Sequence, residues 1–180
     1  MHKRYANTLE TLLAKQDIAD CLARYARGVD RTDAEMLHSC YFDDSIEEHG
    51  SSFSGLARDY IEGAIQRLAS AGVMGHYLCQ SLCEIEGDVA HVESYLLTFA
   101  RFGAAEEPWD TFTGGRIVDR FERRELPGGP EWRIAHRKVA FDWNHDIAAS
   151  ETWCRGMFDP EDPRMVMGRR GSGDLSYSRF

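Results

Sequence analysis

The chain has no run of about 18 consecutive apolar residues, so no segment reads as a transmembrane helix. Its opening, Met1 to Asn7, carries Lys3 and Arg4 but no apolar stretch of signal-peptide length behind them, and a cytoplasmic location is expected. Basic charge is in deficit: 21 Lys and Arg against 30 Asp and Glu give a formal net charge of −9. Phosphate recognition needs basic surface, so neither nucleic acid nor an anionic membrane is expected as a partner. Cysteine is scarce and odd in number. Cys21, Cys40, Cys79, Cys83 and Cys154 are irregularly spaced, a poor disulfide framework, and reduced thiols are expected.

Several chemical signatures are also missing. The chain has no Gly-x-Gly-x-x-Gly, no phosphate-binding loop, no His-Glu-x-x-His, no Cys-x-x-Cys and no Gly-x-Ser-x-Gly. The seven histidines are scattered, and no metal site or cofactor is predicted.

What is present is an ordinary globular mix, 43% hydrophobic and 28% charged in 180 residues, which suits one domain. Leu9, Leu12, Leu13, Ile18, Leu22, Tyr25 and Val29 recur at helical spacing, predicting a helix from about Asn7 to Val29. Asn7 or Thr8 is a candidate cap, and Gly28 weakens the end. Asp33 is the predicted cap of a shorter helix bearing Met36, Leu37, Cys40 and Tyr41. Ser45 to His49 reads as a short strand, Ser51 to Gly55 as a turn, and Ala57 to Leu68 as a third helix. Long strands are then predicted at His76 to Ile85, Val89 to Phe102, Thr111 to Arg124 and Glu131 to Trp143. Helices followed by hairpin-linked strands predict an α+β fold with the helices on one face of the sheet. The domain is expected to span residues 1–143. Residues 144–180 read as an extended arm, with a helical turn near Glu151 to Arg155. Trp153, Met157, Phe158, Met165, Val166 and Met167 would pack part of it on the body, a partner subunit or the pocket mouth.

Four polar residues sit on otherwise apolar elements. Tyr25 lies on the buried stripe of the first helix, and Asp30 stands where that helix should end. His76 opens the first long strand, and Arg137 lies midway along the last one. Each has a plain alternative: Asp30 as a cap, His76 as a satisfied core histidine, Tyr25 as packing, Arg137 as the cross-strand partner of Asp119. Together they make chemical sense in an apolar pocket. A carboxylate fixes the tautomer of an imidazole and raises its basicity. The imidazole then moves a proton while Tyr and Arg meet charge developing on oxygen.

The stretch Ile18 to Arg31 with Tyr41-Phe42-Asp43-Asp44, the strand Gly114 to Arg124, and Glu131-Trp132-Arg133-Ile134-Ala135-His136-Arg137 resemble SnoaL-like proteins of the nuclear-transport-factor-2-like superfamily. The resemblance covers about residues 8–143. It implies helices on a strongly curved sheet that encloses an apolar pocket in a cone. Catalytic branches of this group, scytalone dehydratase, hexachlorocyclohexane dehydrochlorinase and bile-acid 7α-dehydratase, use an Asp–His dyad. Their aspartate matches Asp30, the histidine His76, the bile-acid enzyme's tyrosine Tyr25, and the dehydrochlorinase arginine Arg137. Gln80 stands where the dehydrochlorinase has asparagine, and Tyr25 replaces its lysine. Tyr41, Gln80 and Phe141 are expected to bind substrate.

The resemblance thus implies a cofactor-independent lyase on a small apolar or aromatic substrate. Dehydration, another β-elimination and carbon–carbon cleavage all fit. A ketosteroid-type isomerase, a ligand-binding protein and a ring-hydroxylating dioxygenase β-subunit-like partner share the fold and stay open. A homo-oligomer, dimer or trimer, is expected.

Overall fold

The computed structural model describes residues 8–69, 71–103, 107–149 and 162–178. The helices are α1 (Leu9–Arg31), α2 (Ala34–His38) and α3 (Ala57–Ala69), with β1 (Tyr41–Glu48) and β2 (Ser54–Leu56) between α2 and α3. Four long strands follow: β3 (Met74–Glu86), β4 (Val89–Phe102), β5 (Trp109–Leu126) and β6 (Gly129–Ala148). All six strands form one mixed sheet in the order β2-β1-β6-β5-β4-β3. Neighbours are antiparallel except β1 and β6, which run parallel.

Helix α1 begins at Thr8, whose hydroxyl accepts from the Thr11 N–H while the Thr11 hydroxyl accepts from the Thr8 N–H. Such a cap is worth about 1 kcal/mol. Ala14, Ile18, Cys21, Leu22, Tyr25 and Val29 form its buried stripe. Gly28 does not weaken the end, because the helix runs through it. A methyl there would come within 2.9 Å of Leu37 Cγ, so the glycine lets α2 lean on α1. The helix stops at Thr32, held in the left-handed conformation at φ 52°. The N–H groups of Thr32 and Asp33 close the last turn on the Val29 and Gly28 carbonyls. Asp30 is thereby fixed inside the last turn of α1. The cap of α2 is Asp33, which accepts from the Met36 N–H at 2.9 Å.

Helix α1 packs on β3 and β6, and α3 packs on β1. Beneath the helices lie Val92 of β4, Ile117 and Phe121 of β5 and Ile134 of β6, all buried. Burial of each is worth about 1.5–3 kcal/mol. The other face carries a row in register across β3 to β6: Tyr77, Leu97, Gly114 and Trp143. Tyr77, Leu97 and Trp143 are exposed. The Trp143 indole lies over Gly114, where a methyl would sit 2.3 Å from it. Strand β6 has one extra residue here, since Trp143 pairs with Gly114 but Phe141 with Gly115, which leaves Asp142 as a bulge.

Cys21, Cys40, Cys79 and Cys83 are free thiols, the first two buried; Cys154 lies outside the described residues. Strand β6 continues to Ala148, into the segment expected to be an arm, because Asn144 to Ala148 pair with Trp109 to Thr113. The expected turn near Glu151 to Arg155, with Trp153, Met157 and Phe158, lies outside the described residues. Residues 162–178 return to the body, where Met165 and Met167 are half-buried and several polar contacts hold the segment. Val166 stays 67% exposed. Arg170 donates to the Leu68 and Gly72 carbonyls at the end of α3. Tyr177 donates to Asp33 at 2.6 Å, its ring lies under the Arg27 guanidinium, and Asp174 meets Arg31 at 3.3 Å.

Candidate active site

A cavity of about 310 Å³ is lined by residues of α1, α3 and the sheet. Its walls are mostly aliphatic and aromatic, with Tyr25, His49, Tyr60 and His76 among the polar groups. The end of α1 and the start of β3 meet at this wall. His76 Nδ1 lies 2.7 Å from Asp30 Oδ1, and the His76 backbone N–H donates to Asp30 Oδ2 at 3.1 Å. Both carboxylate oxygens are used, so Asp30 is held on two sides. An ionised carboxylate only accepts, so Nδ1 carries the proton. The ring nitrogen left for a substrate is Nε2, which has no hydrogen-bond partner among the described residues. Both side chains are mostly buried, 16% exposed for Asp30 and 18% for His76.

Tyr25 is buried and lines the same cavity. Burial pushes its phenol up to about 12, against the opposing pull of Arg137. Burial likewise raises the Tyr60 phenol well above its ordinary value. Both hydroxyls therefore stay protonated donors at neutral pH. Phe141 lines the cavity as well. Arg170, on the returning C-terminal segment, lies close enough to Asp30 to feel its charge, although burial pulls the guanidinium below its usual value. Among the described residues, no group of three or more His, Cys, Asp or Glu side chains is placed to hold a metal ion. No helix among them is long and apolar enough to cross a membrane.

Residues 10–138 match the SnoaL-like domain. The chain belongs to the SnoaL-like domain family. No curated protein matches its sequence. Solved structures share its nuclear-transport-factor-2-like fold. A candidate scytalone dehydratase from Novosphingobium aromaticivorans is 16% identical, with TM-score 0.66 over 78% of this chain and 91% of that one. Hexachlorocyclohexane dehydrochlorinase LinA-type3 from Novosphingobium barchaimii is 15% identical, with TM-score 0.66 over 77% and 93%. A point variant of Rv3472, a protein of unknown function from Mycobacterium tuberculosis, is 23% identical, with TM-score 0.62 over 77% and 78%. At these identities the likeness is one of fold.

Three of the residues expected at the site lie elsewhere in this SnoaL-like domain. Arg137 is fully buried and is not among the cavity's lining. Its guanidinium is taken by Asp119, the residue opposite it on β5, through two hydrogen bonds of 2.7 Å. Its guanidinium lies 4.0 Å from the ring centre of Tyr25, which does line the cavity. Desolvation works against its charge, but Asp119 and the two tyrosines outweigh that and hold it above its usual value. Tyr41 is also off the lining, since its hydroxyl donates to Glu47 at 2.9 Å and accepts from Arg137 at 3.4 Å. Gln80 is exposed, in the part of β3 where the register with β4 shifts between Leu78 and Ser81. Sequence reasoning missed His49, Glu47 and Tyr60. The usable signal was register: Glu47 is the parallel-ladder partner of Arg137, and an acid opposite a buried arginine is seldom a solvated one.

Proposed function

We propose that the protein is a cofactor-independent lyase that removes a small leaving group from a largely apolar ring substrate, by dehydration, another β-elimination or carbon–carbon cleavage. The observation that carries this reading is the 2.7 Å Asp30–His76 pair in the wall of an apolar cavity. His76 Nε2 acts as the base, worth about 10²–10⁴-fold in rate for such a group. Asp30 fixes its tautomer and stabilises the imidazolium once it forms. Tyr25 donates to the oxygen on which charge builds, and Arg137 behind its ring holds the phenol in place. Phe141 supplies apolar contact. The exposed row of Tyr77, Leu97 and Trp143 is the face on which a second copy would dock.

The test is turnover of cyclic β-hydroxy ketones, with 3-hydroxy-1-indanone as the first probe, followed by the absorbance of the enone. The native protein should accelerate the loss of water, and His76→Ala should abolish this while remaining folded with a cooperative melt. Full activity in His76→Ala would overturn the mechanism. Migration of the double bond of a cyclic β,γ-unsaturated ketone, offered as a second probe, without loss of water from the hydroxy ketone would point to the isomerase instead.

A further inference from the structure

Two histidine–carboxylate pairs face this cavity. The second is His49 with Glu47. His49 follows directly on β1, whereas His76 lies on β3, and β6, β5 and β4 separate those strands. Both rings line the one cavity. The His49 backbone is pinned: its N–H donates to the Phe53 carbonyl at 2.8 Å, and its carbonyl accepts from the N–H and the hydroxyl of Ser52. Its ring stacks on Tyr60 at 4.9 Å, with 18° between the planes, and meets Phe141 edge-on at 5.8 Å. Nδ1 lies 3.2 Å from Glu47 Oε1, and Nε2 has no hydrogen-bond partner among the described residues.

Glu47 is wholly buried. In the sheet it stands beside Arg137, with Asp119 on that residue's other side. The guanidinium gives both prongs to Asp119 and reaches Glu47 only through the Tyr41 hydroxyl. Two buried carboxylates thus share one cation. An unpaired buried carboxylate is costly, and each Glu47 oxygen has one partner outside the guanidinium, the Tyr41 hydroxyl at Oε2 and the His49 ring at Oε1.

We propose that His49 is the proton donor of this cavity, acting opposite His76, with Glu47 as its positioning residue. The proposal rests on the lyase reading above. His76 Nε2 takes a proton from the carbon beside a carbonyl, and the C–H electrons become the new C=C bond. The carbon–oxygen bond on the next carbon breaks, its electron pair leaves with the oxygen, and His49 Nε2 protonates that oxygen so that it departs as water. His76 then returns its proton to solvent and His49 takes one up, so the net change is loss of one water.

A proton donor matters when hydroxide must leave and hardly at all when chloride leaves. The experiment compares 3-hydroxy-1-indanone with 3-chloro-1-indanone, both followed by the indenone absorbance, with thermal melts alongside. In His49→Phe, which keeps the ring stacked on Tyr60, loss of water should slow by about 100-fold or more, and loss of chloride by less than about fivefold. His49→Gln should show the same selective loss, and Glu47→Gln a smaller one of the same kind. His76→Ala should lose both reactions. Equal slowing of both substrates in the His49 variants, or no slowing, overturns the role of His49 and leaves His76 as the base. So does a native protein that expels chloride but not water. A native protein no faster than His76→Ala on either probe overturns the lyase reading itself, and this proposal with it.

Discussion

Asp30→Asn is expected to switch the tautomer of His76 without unfolding the protein. Asp30 faces two donors, the ring Nδ1–H at 2.7 Å and the backbone N–H of the same residue at 3.1 Å. Asparagine offers one acceptor and one NH₂ group. The backbone N–H cannot change roles, so it keeps the amide oxygen, and the NH₂ must face the ring. Nδ1 then becomes an acceptor and the proton moves to Nε2, the nitrogen that should act as base. Exchanging a charge-assisted hydrogen bond for a neutral one costs about 1–2 kcal/mol. For a chain of this size that is a fall in melting temperature of about 2–8 °C. The catalytic cost is that of losing the base, about 10²–10⁴-fold in kcat, with KM little changed. Nitrogen-15 NMR of the imidazoles reads the tautomer directly, and indanone turnover reads the rate. Retention of Nδ1–H in the variant, or more than a tenth of native activity, would refute the reasoning.

Three further outcomes are expected. Arg137→Met should destabilise the fold by about 3–5 kcal/mol in urea unfolding, because it strands Asp119 in the core. Adding Asp119→Leu should recover most of that, and a single-variant cost below about 1 kcal/mol would contradict the buried pair. The docking of residues 162–178 should weaken in acid. The Tyr177 hydrogen bond holds the Asp33 carboxyl below its usual value, and the Arg169 N–H with both Ser176 donors does the same for Asp174. Groups depressed in the docked state contribute fully above the ordinary carboxylate value of about 4 and lose their contribution as pH falls below it. Hydrogen exchange of this segment, corrected for intrinsic rate, should therefore be flat from pH 7 to 5 and rise towards pH 3; equal protection at pH 3 and 6 would contradict this. Trp143→Glu should lower the mass seen by light scattering if a second copy covers the exposed sheet face, and a native chain that is already monomeric would rule that face out as an interface.

Strong local periodicity made much of the fold legible. Val89–Phe102 and the helix starting at Ala57 needed only alternation or a 3.6-residue stripe, and both stand where the pattern put them. Tyr41 prolongs the stripe of α2 and so reads as helix. It opens β1 because a parallel partner, β6, lies 93 residues on at Ile134, and no local pattern encodes that pairing. The three residues of β2, Ser54–Leu56, are too short to show alternation. Within the site, Asp30 and His76 stood out as polar residues at the ends of apolar elements. Glu47 and His49 belong to the run Glu47-Glu48-His49, which reads as solvated surface until the Arg137 register is known. Arg137 was conspicuous for the right physical reason, a charge in an apolar strand, but the nearest solution to that charge is the acid opposite it.

The bulge at Asp142 sets the side of the sheet that each of two nearby aromatic rings takes. Residues two apart on a regular strand share a side of the sheet, yet Phe141 lines the interior and Trp143 lies outside over Gly114. Deleting Asp142 would restore strict alternation with the indole still over Gly114, whereas closing the bulge with every residue kept would carry the indole to the cavity side. The extra residue thus sorts two bulky rings, one to the side of a guest and one to the side of a neighbour, and a one-residue slip of β6 at this point would exchange them.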